Sequence, residues 1–281
     1  MVLTDTAPES LVDLERYPVF AVGSAPYRSV VGRAREQLAT RGAAELSGFV
    51  SAAGVAALVA DAESLASRAH RSGGLGTAYL EVPDSSFPAD HPRMTWGEYA
   101  LGAVAYDLIP TSSPLRRLYE MPALTELVAA ILDRGALYPY ADPFGALNLA
   151  VMGNGDQLQW HFDQTDFVVS LAIQTAARGG DFEVAPRIRS ADDEHYDDVA
   201  AVLGGDDASV VTLAMEPGTL LVFEGRHSLH RVSPITGDRL RHVGLLAYDT
   251  KPGTMGSELL RRARYGRTEP LATPPERWPV P

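Results

Sequence analysis

The hydrophobic pattern changes its period near Leu137, and this change limits the folds that the chain can adopt. Downstream, short runs of β-branched and aromatic residues alternate with turn signals. The runs are ALNLAVM, DFVVSLAIQ, GGDFEVA, SVVTLAM, GTLLVFEG and RHVGLLAYD. The exception is DDEHYDDVAAVLGG, which we expect to be a helical or loop insertion. Several short strands at this spacing predict a sandwich or jelly roll.

The first half of the chain has a helical period instead. SVVGRAREQLATRG stops at Gly42, and the next stretch begins with a capping serine, Ser51, and is expected to run to Gly73. Further helical stretches lie in SPLRRLYEMPALTELVAAILDR. Amphipathic helices of this kind usually cover a larger element, so we predict that they pack on the β-rich half.

These patterns predict an α+β fold with a jelly-roll core and packed N-terminal helices. No linker separates two units, so we expect one domain. Its predicted parts are a mainly helical segment (1–136), the jelly-roll core (137–250) and an extended C-terminal tail (251–281) that wraps the body.

The composition excludes several classes of function. With 24 basic and 36 acidic residues the formal charge is −12, which argues against nucleic-acid or anionic membrane partners. No apolar run is long enough to span a bilayer, and MVLTDTAPES lacks the features of a signal peptide, so we expect a cytoplasmic protein. The chain has no cysteine, so any metal must be held by histidine and carboxylate ligands. The oligomeric state stays open.

A candidate metal site begins in LQWHFDQTDFVVSLAIQ. His161 and Asp163 are two residues apart, a spacing that places side chains on one face of a strand. In a jelly roll, a histidine from a late strand can join them, and His230 follows GTLLVF. Two imidazoles and one carboxylate on one face of an iron leave open the positions that O₂ and a co-substrate need.

Two arginines after His230 strengthen this hypothesis. Arg239 and Arg241 lie near the start of the following strand. A dicarboxylate co-substrate that chelates the metal with one end needs a guanidinium for the other. Either arginine could be the main anchor.

Together these motifs resemble the Fe(II)- and 2-oxoglutarate-dependent oxygenases of the double-stranded β-helix fold. The resemblance rests on WHFD, GGDFEV, EPGTLLVFEG and HRVSPITGDR, in that order. YDLIPTSSPLRRLYE, LYPYADPFGALNLAVM, WHFDQTDFVV and GRHSLHRVSP more narrowly resemble bacterial halogenases and hydroxylases of free amino acids. In the halogenating members a small residue replaces the carboxylate ligand and makes room for chloride. Asp163 is present here, so the resemblance implies hydroxylation.

The resemblance implies roles for further residues. Fe(II), 2-oxoglutarate and O₂ would be the cofactors, with His161, Asp163 and His230 as metal ligands. Asn148 and Gln174 are candidates for 2-oxoglutarate contacts beside the arginines. The candidate substrate contacts are Trp160, Asp142, Asp166 and Arg226.

The predicted activity is hydroxylation of an unactivated C–H bond in a small substrate, with a free amino acid preferred. Desaturation or cyclisation with the same cofactors remains an alternative. A cupin-like binding protein without redox turnover is a second, although it gives the arginines no role. A zinc hydrolase on the same ligands is a third.

Overall fold

The computed structural model describes residues 7–82 and 84–271. Its helices are α1 (Ala25–Arg41), α2 (Ala52–Leu65), α3 (Pro114–Tyr119), α4 (Pro122–Ile131), α5 (Tyr196–Leu203) and α6 (Glu258–Tyr265). Its strands are β1 (Ala43–Leu46), β2 (His70–Thr77), β3 (Trp96–Val104), β4 (Tyr138–Pro139), β5 (Leu147–Met152), β6 (Leu158–His161), β7 (Val168–Gln174), β8 (Phe182–Ala185), β9 (Val211–Leu213), β10 (Leu220–Phe223), β11 (Leu229–Val232), β12 (Arg241–Leu246) and β13 (Tyr248–Asp249).

The strands form two main antiparallel sheets. The major sheet has the order β1-β10-β7-β12-β5-β3-β2, and the minor sheet has the order β6-β11-β8-β9. Strands distant in the sequence are neighbours in both sheets, as in a jelly roll. The predicted α+β fold with a jelly-roll core is therefore confirmed.

The central strands of the major sheet are buried on both faces. One face carries residues such as Leu149, Leu171 and Val222, which pack against the helices in the largest apolar cluster. The opposite face carries Met152 and Phe223, which pack toward the minor sheet. This second face is the inner wall of the barrel, and alternation along each strand decides which side chains reach it.

Local sequence explains where several helices begin. The hydroxyl of Ser51 accepts a hydrogen bond from the Gly54 amide and caps α2, as predicted. Ser24 caps α1 in the same way through the Tyr27 amide. The predicted insertion contains a true helix, α5, and both α3 and α4 lie within the predicted helical stretch.

The prediction of a mainly helical first half was incomplete. Besides its helices, the first half of the chain contains three strands of the major sheet, β1, β2 and β3. The helix expected to reach Gly73 ends at Leu65, and β2 follows, because every residue of β2 pairs with a residue of β3. The predicted extended tail contains α6, and residues 272–281 lie outside the described part. Within that part, no helix is long and apolar enough to cross a bilayer.

Candidate metal centre

Two neighbouring strands of the minor sheet bring His161 and His230 together. The two residues are direct partners in the β6–β11 register, and their ring centroids are 4.3 Å apart. His161 ends β6, and His230 lies inside β11, where it is buried against Phe182 and Phe223. Strand pairing therefore fixes the separation of the two imidazoles.

The same local hydrogen bond orients both imidazoles. Nδ1 of His161 is 2.8 Å from the carbonyl oxygen of Gln159, and Nδ1 of His230 is 2.9 Å from that of Ser228. A carbonyl only accepts, so each Nδ1 carries the proton and donates. The neutral tautomer then leaves the lone pair on Nε2, which is the atom that a metal ligand needs.

Asp163 completes the cluster from the loop that follows β6. Its Oδ2 is 3.2 Å from Nε2 of His230, and its Oδ1 is 3.8 Å from Nε2 of His161. The three ligand atoms all lie within 4.8 Å of one another. The backbone amide of Asp163 donates to the carbonyl of Gly225, which holds the loop against the turn that follows β10.

The charges of this cluster are strongly coupled. Burial lowers the pKa of His161 to about 4, and the neighbouring His230 contributes to the shift. Burial alone would lower the pKa of His230, but the charge of Asp163, its hydrogen bond to the ring and the hydrogen bond to the Ser228 carbonyl together raise that pKa. Burial alone would raise the pKa of Asp163, but the charge and hydrogen bond of His230, together with the charges of His161 and Arg264, lower it. A divalent cation would relieve this coupling, because it stabilises the carboxylate and needs unprotonated imidazoles.

The inner wall leaves room beside the cluster. Small side chains occupy three positions of the middle strands on this face, at Ser170, Ala172 and Ala150. Asn148, on the same face of β5, has a buried Oδ1 without a hydrogen-bond partner in the described chain. A buried acceptor without a partner, next to small side chains, is suited to hydrogen-bond with a bound polar ligand.

Arg241 is the buried arginine of the predicted pair. It lies on the inner face of β12 opposite Met152, and only 6% of it is exposed. Its Nη1 is 3.7 Å from the sulfur of Met152, a weak acceptor. Burial lowers its pKa to about 10. The charge of Asp181 acts on Arg241, but no carboxylate of the described residues lies within 4.0 Å of this guanidinium, although a buried charge is normally paired.

Arg239 does not share this environment. It precedes the first residue of β12, is exposed, and donates to the carbonyl of Ala176 at 2.7 Å. Arg239 and Arg241 were both predicted as possible anchors, and only Arg241 lies within β12, where period-two alternation places its side chain on the inner face. Gln174 lies on the inner face, where its amide donates to the carbonyl of Leu240.

The structure separates the four candidate substrate contacts. Trp160 alternates with His161 and lies on the outer face, where the guanidinium of Arg231 is 4.7 Å from its ring centroid. It therefore does not line the barrel, contrary to the prediction. Asp166 and Arg226 form an exposed ion pair of 2.6 Å.

Asp142 has a different role from the predicted one. It is 2% exposed, and its carboxylate accepts from the backbone amides of Phe144 and Gly256. It also forms an ion pair with Arg261 of α6. Through these partners Asp142 attaches the C-terminal segment to the barrel. Because its carboxylate oxygens already accept from them, few acceptor positions are left for a substrate.

Sequence reasoning missed two parts of the site. One is Gly225, whose missing side chain leaves space for the Asp163 carboxylate. A glycine directly after a core strand was the available signal. The other is α6, whose Arg261 pairs with Asp142 and which lies inside the segment predicted as an extended tail.

A jelly roll with two imidazoles and one carboxylate defines the class of non-haem Fe(II) oxygenases that depend on 2-oxoglutarate. The Halogenase D family model matches residues 97–257, more than half of the chain, and the chain belongs to this family. The predicted resemblance and the cofactors Fe(II), 2-oxoglutarate and O₂ are thereby confirmed for the class. No curated protein matches the sequence.

Solved structures share the fold at low identity. The epimerase SnoN, in complex with Fe³⁺, alpha ketoglutarate and nogalamycin RO, is 15% identical, with a TM-score of 0.54 over 88% of this chain and 95% of that chain. AviO1 from Streptomyces viridochromogenes Tue57 is 20% identical, with a TM-score of 0.53 over 77% of this chain and 93% of that chain. These likenesses support the architecture.

Proposed function

We propose that the protein hydroxylates an unactivated C–H bond of a small substrate, a free amino acid, with 2-oxoglutarate and O₂ as co-substrates. In the overall reaction, substrate C–H, O₂ and 2-oxoglutarate give substrate C–OH, succinate and CO₂. Bound Fe(II) supplies O₂ activation coupled to the oxidative decarboxylation of 2-oxoglutarate. Family membership supports the cofactors, and the sequence motifs shared with amino-acid-modifying enzymes support the substrate class.

The chain's own residues have distinct tasks in this proposal. His161, Asp163 and His230 would hold the iron, with both histidines oriented by backbone carbonyls. Arg241 would bind the carboxylate of 2-oxoglutarate that is remote from the iron, because a buried guanidinium with no carboxylate within 4.0 Å among the described residues suits a bidentate anion. The apolar inner wall around it would exclude water from the reaction.

The presence of Asp163 is the observation that favours hydroxylation over halogenation. Its carboxylate lies within 3.2 Å of His230 Nε2, where it can supply the third ligand. A third protein ligand leaves one position fewer for a halide. The presence of this carboxylate therefore favours oxygen transfer, although the family is named for a halogenase.

The test measures succinate and product mass together. Fe(II)-loaded protein is incubated with 2-oxoglutarate, O₂ and a panel of free amino acids, in buffer that contains chloride and bromide. We expect one or a few amino acids to increase succinate formation and to gain one oxygen atom. Halogenated product would contradict the proposal, and a product that lacks two hydrogens would indicate desaturation or cyclisation. The His161→Ala variant should form no substrate-stimulated succinate.

The zinc-hydrolase alternative differs from the oxygenase in its dependence on O₂ and 2-oxoglutarate. It requires activity without O₂ and no dependence on 2-oxoglutarate. Anaerobic incubation of the same panel distinguishes it from the oxygenase.

A further inference from the structure

Phe162 lies between two of the candidate ligands in the chain and is fully buried. It follows His161 and precedes Asp163. Its side chain packs in a cluster separate from the barrel interior, together with Val199 of α5 and with Tyr79, whose ring centroid is 5.2 Å from its own. A displacement of the Phe162 ring would therefore move the backbone on which both ligands are carried.

Arg189 contacts the ring of Phe162. It lies between β8 and α5, and its guanidinium carbon is 3.9 Å from the centroid of that ring, a close cation–π contact. Only 12% of its side chain is exposed. A planar guanidinium can stack on an aromatic face and still donate hydrogen bonds from its edge. Arg189 is thus in direct contact with the segment that carries two of the ligands.

The same residue contacts the second segment that holds Asp163. Nε of Arg189 donates to the carbonyl of Arg226 at 2.8 Å, and its backbone amide donates to the carbonyl of His227 at 3.3 Å. Arg226 directly follows Gly225, whose carbonyl accepts from the Asp163 amide and whose missing side chain leaves room for the Asp163 carboxylate. One guanidinium therefore connects the two segments between which the carboxylate ligand lies.

Glu194 fixes the guanidinium of Arg189 in this position. Its Oε2 accepts from Nη1 of Arg189 at 2.9 Å, and its Oε1 accepts from Nη2 of Arg93 at 3.1 Å. Charge-assisted hydrogen bonds of this kind are stronger than neutral ones and set the plane of the guanidinium. The ion pair, the backbone carbonyl and the aromatic ring together leave Arg189 a single orientation.

We propose that Arg189 is a positioning residue of the metal centre, which keeps the Asp163 carboxylate directed at the two histidines. It acts through its neighbours, with Phe162 on one side of the carboxylate and the turn of Gly225 on the other. This inference rests on the proposed function, because it takes the three residues as iron ligands. Groups that orient metal ligands change metal affinity strongly without touching the metal themselves.

The test compares iron affinity among variants of Arg189. Arg189→Gln removes the charge and the stacking group, and we expect its Fe(II) affinity to fall by about tenfold to a hundredfold, the range for groups that orient ligands. Arg189→Lys keeps a charge opposite Glu194 but lacks the planar fork, so it should recover part of that loss. Fe(II) titration under anaerobic conditions measures each affinity.

Arg116→Gln is the matched control. Arg116 lies in α3 and is 11% exposed in its side chain, and it has the same three kinds of partner as Arg189. These are the carboxylate of Glu120 at 2.8 Å, the carbonyl of Ile109 at 2.9 Å and the ring of Tyr106 with a centroid at 4.3 Å. This variant should lose a similar free energy of unfolding in urea and keep the wild-type iron affinity.

A spectrum of the occupied site separates positioning from general stability. Co(II) absorbs visible light according to the geometry of its ligands, so it serves as the probe at saturating concentration. Arg189→Gln should show an altered Co(II) spectrum because its carboxylate ligand is displaced. Arg116→Gln should show the wild-type spectrum.

The remaining outcomes distinguish this inference from the proposed function. Equal falls in iron affinity in Arg189→Gln and Arg116→Gln would reveal a general effect of lost stability and overturn the positioning role. Wild-type affinity in Arg189→Gln, with iron binding lost in His161→Ala, would overturn the positioning role and leave the proposed function standing. Wild-type iron affinity in His161→Ala would overturn the ligand assignment and, with it, the proposed function.

Discussion

Gly225 lies directly against the carboxylate of Asp163. A Cβ atom at Gly225 would be 2.3 Å from Oδ2 of Asp163 and 3.0 Å from its Cβ. The two residues are also joined by a hydrogen bond of 3.0 Å, from the amide of Asp163 to the carbonyl of Gly225. The third candidate ligand therefore depends on the absence of a side chain in a different loop.

The Gly225→Ala variant should displace this carboxylate. A contact of this length is not tolerated, so Asp163 must move away from the two histidines, and we expect iron affinity to fall by about tenfold or more, as for mutations of residues that orient ligands. Fe(II) titration under anaerobic conditions measures it. The control is Gly32→Ala in α1, where no atom lies within 4 Å of the added methyl. Wild-type affinity in Gly225→Ala would contradict the proposed role.

The two arginines near β12 should differ in their effect on 2-oxoglutarate. Arg241→Gln should weaken its binding by about tenfold to a hundredfold, the range expected for a charge-assisted bidentate contact. Arg239→Gln should leave it nearly unchanged, because Arg239 is exposed and bonded to a backbone carbonyl. Calorimetry with Fe(II)-loaded protein provides both affinities. The reverse order would restore Arg239 as the anchor.

The Asp142→Asn variant should loosen α6. It leaves Arg261 without its charged partner, and breaking a buried pair costs about 3 kcal/mol. Hydrogen exchange should increase first in residues 256–266, since Asp142 also holds the Gly256 amide. Asp166→Asn removes a carboxylate from an exposed pair and should have an effect below about 1 kcal/mol. Equal protection of α6 in both variants would rule out the anchoring role.

Asp61 should make stability depend on pH. It is buried between α2 and α3, where Ser113 donates to it at 2.6 Å, and burial raises its pKa to about 6. The folded state thus binds this proton more tightly than the unfolded chain, and stability falls as pH rises from about 4 to about 6.

Asp61→Asn should remove that dependence. The variant should be more stable than the wild-type protein at pH 7, by up to about 3 kcal/mol at 1.36 kcal/mol per pKa unit, with a smaller difference near pH 4. Urea unfolding at several pH values measures this. Asp133→Asn, at an exposed position, should show no such step. A constant difference between Asp61→Asn and the wild-type protein at all pH values would exclude the burial effect.

The sequence predicted the late strands because each combines β-branched residues with a turn signal. It did not reveal β2, whose residues HRSGGLGT are glycine-rich and mostly exposed. That strand exists because β3 pairs with it along its whole length, which is a tertiary effect rather than a local preference.

The structure brings the predicted metal ligands together. The contacts around them could not be predicted from the sequence. His161 and His230 could be proposed from order and spacing, whereas their direct register cannot be read from separate segments. The choice between Arg239 and Arg241 depended on the residue at which β12 begins. The position of Trp160 follows from simple alternation with His161 and was open to prediction.

The arrangement of α6 has an evolutionary consequence. The candidate ligands and Arg241 lie between residues 161 and 241, whereas α6 begins at Glu258 and is attached to the barrel by the ion pair between Arg261 and Asp142. Changes in the C-terminal segment that keep this ion pair would therefore leave the oxidising machinery intact. Related chains with equal triads would then be expected to tolerate different final helices.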